Sequence, residues 1–106
     1  MYEIKKNKLS FADGIELTTY SREVDNGNVL DVEAGTTGYQ DNDGDHRSRT
    51  YFRITDAGCT DMQVTKCSDG RGFQVVLDGD CELETIQHAL KFITKVIEQE
   101  AKGVCD

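Results

Sequence analysis

Apolar and polar side chains alternate in short runs along the first three quarters of the chain, the period of half-buried β-strands. Residues 2–11 carry Tyr2 and Ile4, then Leu9 and Phe11. Residues 15–21 (IELTTYS) put Ile15, Leu17 and Thr19 on one face and Glu16, Thr18 and Tyr20 on the other. In 28–34, Leu30, Val32 and Ala34 oppose Val29, Asp31 and Glu33. In 50–56, Phe52 and Ile54 oppose Tyr51, Arg53 and Thr55. Residues 61–67 turn Met62 and Val64 inward, and 73–77 bury Phe73, Val75 and Leu77. These last two runs flank SDGRG, a hairpin signal. The chain has no proline, so glycine, asparagine and aspartate must make its turns, as at ADG (12–14), DNGN (25–28) and DGD (78–80).

The period then changes. Leu83, Ile86, Leu90, Ile93 and Ile97 are spaced three or four apart, with Ala89 and Val96 widening the stripe, which predicts an amphipathic helix over about 81–101. Asp80 suits the N-cap, Glu82 and Glu84 suit the positive end of the helix dipole, and Gly103 suits its stop. A helix with one apolar stripe needs a sheet to cover. The expected fold is one α+β domain over residues 1–106, an antiparallel meander of five or six strands with the C-terminal helix packed on one face. The uncovered face would then show Glu16, Thr18, Tyr20, Asp31, Glu33, Tyr51, Arg53 and Thr55. Tyr20, Asp31, Glu33, Tyr51 and Arg53 are interface candidates, since tyrosine and arginine are favoured at protein contacts. Ordinary cross-strand pairing explains them as well. Six short strands and one helix make a thin core, which favours association, with a homodimer among the expected outcomes.

Charge narrows the classes of partner. The formal charge is −8, and residues 13–48 hold nine acids against Arg22 and Arg47. Such a surface repels phosphate backbones, so nucleic-acid binding is not expected. No apolar run approaches the roughly 18–20 residues of a membrane span. The start MYEIKKNKLSF has lysines but no apolar stretch behind them, which reads as cytoplasmic. Cys59, Cys67, Cys81 and Cys105 form no C-x-x-C pair and are expected to be reduced thiols. Cys81 and His88, seven apart, make a poor metal site by themselves.

The connection over 35–49 is the longest in the chain, in GTTGYQDNDGDHRSRTYF. Loops of about fifteen residues are usually functional or disordered. Asp41, Asp43 and Asp45 match the first three acids of an EF-hand loop. His46 stands where that loop needs glycine and Phe52 where it needs glutamate, so the EF-hand template fails. A looser divalent-cation site remains an alternative. Asp43, His46 and Arg49 can cluster, and a His–Asp pair is raw material for acid–base work, but nothing in the sequence places a nucleophile beside them. The ordinary reading is a self-supporting loop tied by Asp and Asn side chains. No cofactor and no catalytic residue are assigned, and the protein is expected not to be an enzyme.

The strings VEAGTTGYQ, RTYFRI and LDGDCELETI, with ALKFI and KV beyond, resemble small uncharacterised proteins carried on conjugative and other mobile elements of gut Firmicutes. The resemblance covers residues 30–100. Its matching loop residues here are Asp43 and His46, followed by Arg49, Thr50, Tyr51 and Phe52. Asp41, Asn42, Gly44, Asp45 and Arg47 depart from a more glycine-rich loop in that family. The resemblance implies a small accessory protein of a mobile element and supplies no activity. The expected function is therefore non-enzymatic interaction, with a protein partner or with itself, through the open sheet face and the 35–49 loop. Two alternatives stand beside it: metal or small-ligand binding by that loop, and an acidic DNA mimic acting against host defence.

Overall fold

The computed structural model describes residues 3–39 and 48–105, the last four by backbone alone. The order is β1 (Lys5–Ser10), β2 (Glu16–Asp25), β3 (Val29–Thr36), β4 (Thr50–Gly58), β5 (Met62–Lys66), β6 (Phe73–Leu77) and α1 (Asp80–Cys105). It is the expected α+β arrangement of antiparallel strands and one C-terminal helix. The six strands divide, however, into a meander β1-β2-β3-β4 and a separate hairpin β5-β6. The division follows from the turn after β4. Asp56 Oδ1 accepts the Gly58 N–H at 2.9 Å and the Thr60 N–H at 3.3 Å. Cys59 between them adopts φ 57°, a left-handed conformation that carries the chain off the β4 edge. Among the described residues no helix is long and apolar enough to cross a membrane.

The core lies between α1 and the middle of the sheet. Leu30, Val32 and Ala34 on β3 are completely buried, against Ala89, Phe92, Ile93 and Val96 of the helix. Burying each of the larger side chains stabilises the fold by about 1.5–3 kcal/mol. The buried stripe is rotated from the one the spacing predicts. It runs through Glu82, Thr85, Ala89, Phe92, Ile93 and Val96, with Ile86 and Ile97 half-buried. Leu83 and Leu90 remain 58% and 50% exposed. Polar anchors at the helix start set this rotation. The Thr85 hydroxyl, completely buried, shares its proton between Asn28 Oδ1 at 2.9 Å and the Cys81 carbonyl at 2.7 Å. Asn28 in turn donates from Nδ2 to Thr60 Oγ1 at 3.0 Å. Glu82 Oε2 accepts the Asp61 N–H at 3.1 Å. These bonds tie the β2–β3 turn, the start of the hairpin and the first turn of α1 together, and face positions 82 and 85 inward.

The strand that begins as IELTTYS also differs from expectation. It continues to Asp25, and Tyr20, Arg22 and Val24 pair with Ala34, Val32 and Leu30. Directly paired residues of antiparallel strands point the same way, so all three lie on the helix-covered side. Tyr20 packs against the core cluster rather than facing solvent on the open side. Thr18 and Glu16 share its side by the alternation of the strand. Leu17 and Thr19 are buried as expected, but on the opposite face, with Glu33 and Arg53. Leu17 and Val24 are an odd number of residues apart, so one continuous strand must bury them on different sides.

Candidate functional site

The loop candidates Asp43 and His46 lie outside the described residues, as do Asp41 and Asp45. Arg49 is described, and its guanidinium is engaged. It donates to both oxygens of Asp13, at 3.0 and 2.5 Å, and lies 4.8 Å over the Phe11 ring. The paired guanidinium holds the Asp13 carboxyl below its ordinary value, against a small opposing push from burial. Its backbone exchanges bonds with Thr37, whose hydroxyl accepts the Arg49 N–H at 2.9 Å and whose N–H donates to the Arg49 carbonyl at 2.9 Å. Arg49 therefore pins the end of the long connection to the β1–β2 turn.

Four of the five interface candidates meet on the side of the sheet away from α1. Arg53 donates from Nη2 to Glu33 Oε1 at 2.8 Å, and from Nη1 to Asp31 Oδ2 at 3.3 Å and Thr55 Oγ1 at 2.7 Å. Thr19 Oγ1 donates to the second oxygen of Glu33. Burial pushes the Glu33 carboxyl up, but the Thr19 hydroxyl and the Arg53 guanidinium outweigh it, and the net shift is down. The Arg53 guanidinium is held more firmly protonated, chiefly by Glu33, with smaller contributions from Tyr51 and Asp31. Tyr20, the fifth candidate, is on the other side of the sheet. The network is satisfied within the chain and rigidifies the centre of the sheet.

Among the described residues no three His, Cys, Asp or Glu side chains are grouped to hold a metal ion. Cys59, Cys67 and Cys81 are free thiols, and His88 is an exposed helix-flank residue 3.8 Å from Glu84. Comparison of the chain with protein-family models, with curated proteins and with solved structures finds no match. Function must be argued from surfaces.

Two surfaces stand out, one along each flank of α1. The first faces β4 and the hairpin. Met62, Val64, Phe73, Val75 and Leu77 share one face of the hairpin, since Met62 pairs with Leu77 and Val64 with Val75. The periodicity assigned that face to the interior. Met62 does pack against the core, but Val64, Phe73 and Val75 are 55%, 59% and 37% exposed. Phe52, on the helix side of β4, meets Phe73 with ring centroids 6.3 Å apart. Leu83 and Leu90 extend this apolar surface onto the helix.

The β6 strand adds an open backbone edge. Asp78 N–H bonds Asp61 and Cys67 N–H bonds Gly72, so the closely bonded pairs of the hairpin fall at alternate residues between them. The peptide groups of Gln74 and Val76 therefore point at β5, and those of Phe73, Val75 and Leu77 point outward. Among the described residues no strand pairs with that outer edge. The segment FQVVL carries no charge, whereas the β1 edge, KKNKLS, carries three lysines, a common guard against strand addition.

The second surface is a groove of about 1040 Å³ between α1 and β2. It brings together Arg22, Lys91 and Lys95, a convergence that depends on β2 continuing past residue 21.

Proposed function

We propose that this protein is a non-enzymatic interaction module that associates with a second copy of itself through β6 and the apolar flank beside it. The uncharged outer edge of β6, unpaired among the described residues, carries the reading. A two-fold axis at Val75 would set Phe73 against Leu77 of the second copy and Val75 against Val75. The outward peptide groups of both strands would then complete a ladder, making a four-stranded sheet from two hairpins. An isolated two-stranded hairpin is marginal in water, and two more strands relieve that weakness. The same pairing would place Val64, Phe73 and Val75 of the two copies on one continuous apolar face. Absence of charge on FQVVL matters here, because the chain as a whole is strongly acidic and would repel its copy at most other contacts. The open sheet face is the weaker candidate, since its arginine and carboxylates already satisfy one another.

Sedimentation equilibrium over micromolar to millimolar protein tests the proposal. The expected result is a concentration-dependent rise from monomer to dimer mass. Val75→Pro should abolish it while leaving the hairpin intact, because the N–H it removes points away from β5. A monomer at every concentration would refute the reading, as would a Val75→Pro protein that dimerises as tightly as the parent.

A further inference from the structure

The groove on the other flank of α1 is unusual for so acidic a chain. Its floor is apolar, formed by Tyr20 and Val24 of β2 and by Phe92 and Val96 of α1, and the exposed Ile4 also lines it. Above that floor stand Arg22, Lys91 and Lys95. Acids outnumber lysines and arginines by 20 to 12 in this protein, yet among the described residues none of these three cations forms an ion pair with a carboxylate. Arg22 lies on the helix-covered side of β2, opposite the completely buried Val32. Its guanidinium is 5.8 Å from the centroid of the Phe92 ring, and its Nε is buried without a hydrogen-bond partner. A buried donor left unmet is costly, and native structures rarely keep one without a reason. Glu23, Asp25 and Glu100 line the same groove, and among the described residues none of them is within ion-pair distance of these cations.

The combination specifies a ligand. Three cations with no carboxylate partner among the described residues call for an anion, and the apolar floor calls for a hydrocarbon body. The helical side of the groove runs from His88 to Glu100, about 18 Å at the rise of an α-helix. The volume is at the upper end of small-molecule sites. We infer that this groove binds a single-chain carboxylate, a fatty-acid-like anion whose head meets Arg22, Lys91 and Lys95 and whose chain lies over Tyr20, Val24, Phe92 and Val96. Arg22 offers a planar fork of donors suited to a carboxylate. The two lysines, one helical turn apart, flank the same space from the helix. The site is on the flank of α1 away from the hairpin, so it is independent of self-association.

Isothermal titration with laurate below its micelle concentration tests the inference, using the full chain. The expected result is one-to-one binding and a raised melting temperature. Acetate, which lacks the chain, and dodecyltrimethylammonium, which reverses the charge, should bind at least tenfold more weakly. The exposed pair Lys91→Gln/Lys95→Gln should weaken laurate at least tenfold without changing the fold, and Arg22→Gln should do the same if its circular dichroism matches the parent. Absence of laurate binding would overturn the inference. So would equal binding of the cationic chain, or full affinity in the double variant. Co-sedimentation with phosphatidylglycerol vesicles by a protein that ignores free laurate would assign the groove to a membrane surface and also overturn it.

Discussion

Replacing Arg53 by methionine removes a charge while keeping much of the side chain's length, and it isolates what the guanidinium does for Glu33. The Glu33 side chain is 8% exposed, and Arg53 Nη2 lies 2.8 Å from it. Removing one partner of a buried pair commonly costs about 3–5 kcal/mol, because the other charge is left buried. Arg53 is 37% exposed, so water already screens part of the interaction, and about 2 kcal/mol is the appropriate expectation. For a domain of this size that is a fall of about 10 °C in melting temperature at pH 7.

The effect has a pH signature. In the parent the Glu33 carboxyl is held below its ordinary value despite burial, so its contribution is present above the unfolded carboxyl range and is lost as pH falls through the folded value. In Arg53→Met burial loses its main charged opponent and the carboxyl moves up. The gap between variant and parent should therefore narrow as pH drops from 7 toward the unfolded value of about 4.3. Glu33→Gln added to Arg53→Met should recover most of the loss at pH 7, since a neutral amide carries no buried charge. Thermal melts of the three proteins across that range decide the matter. A gap that is constant with pH, or a double variant weaker than Arg53→Met, would refute the reasoning.

Two further changes probe the frame. Asn28→Ala takes one acceptor from the buried Thr85 hydroxyl and the donor from Thr60; it should cost about 1–3 kcal/mol in denaturant melts and speed amide exchange in the first turn of α1. Gly35→Ala would drive a methyl into the Thr18 carbonyl and to 2.9 Å from Thr19 Cγ2, costing about 1–3 kcal/mol, while Gly58→Ala, whose nearest neighbour is 3.8 Å away, should be nearly neutral; similar losses at both positions would refute the close approach of β2 and β3 as the cause.

Element types were legible because they rest on local periodicity. The alternation of Leu30, Val32 and Ala34 and the helical spacing near Ile86, Ile93 and Ile97 each identify an element without knowledge of the rest. What each face meets is not local. Leu83 and Leu90 fit the helical stripe as well as Ala89 and Phe92 do, and the rotation was decided by Thr85 reaching Asn28, 57 residues earlier. Tyr20 changed sides because β2 runs four residues past the predicted stop, so that Val24 rather than Leu17 faces the helix. Arg53 and Glu33 were recognisable as neighbours on one face, but whether they wait for a partner or satisfy each other depends on distances between strands. The Arg22 groove needed both corrections at once, the longer β2 and the rotated helix. The uncharged FQVVL was in plain view, yet alternation alone assigns its apolar side to an interior.

The order of the elements has a consequence for synthesis. The four-stranded meander joins neighbours in sequence, and its strands can pair as they emerge. The element that covers Leu30, Val32 and Ala34 comes after all of them, so on the ribosome the sheet keeps an uncovered apolar face until most of α1 has been made. At about 5–20 residues per second that interval lasts seconds, long compared with the microseconds in which a hairpin forms. A stop or frameshift before residue 80 would leave a paired sheet with no lid, a sticky product rather than a smaller functional one.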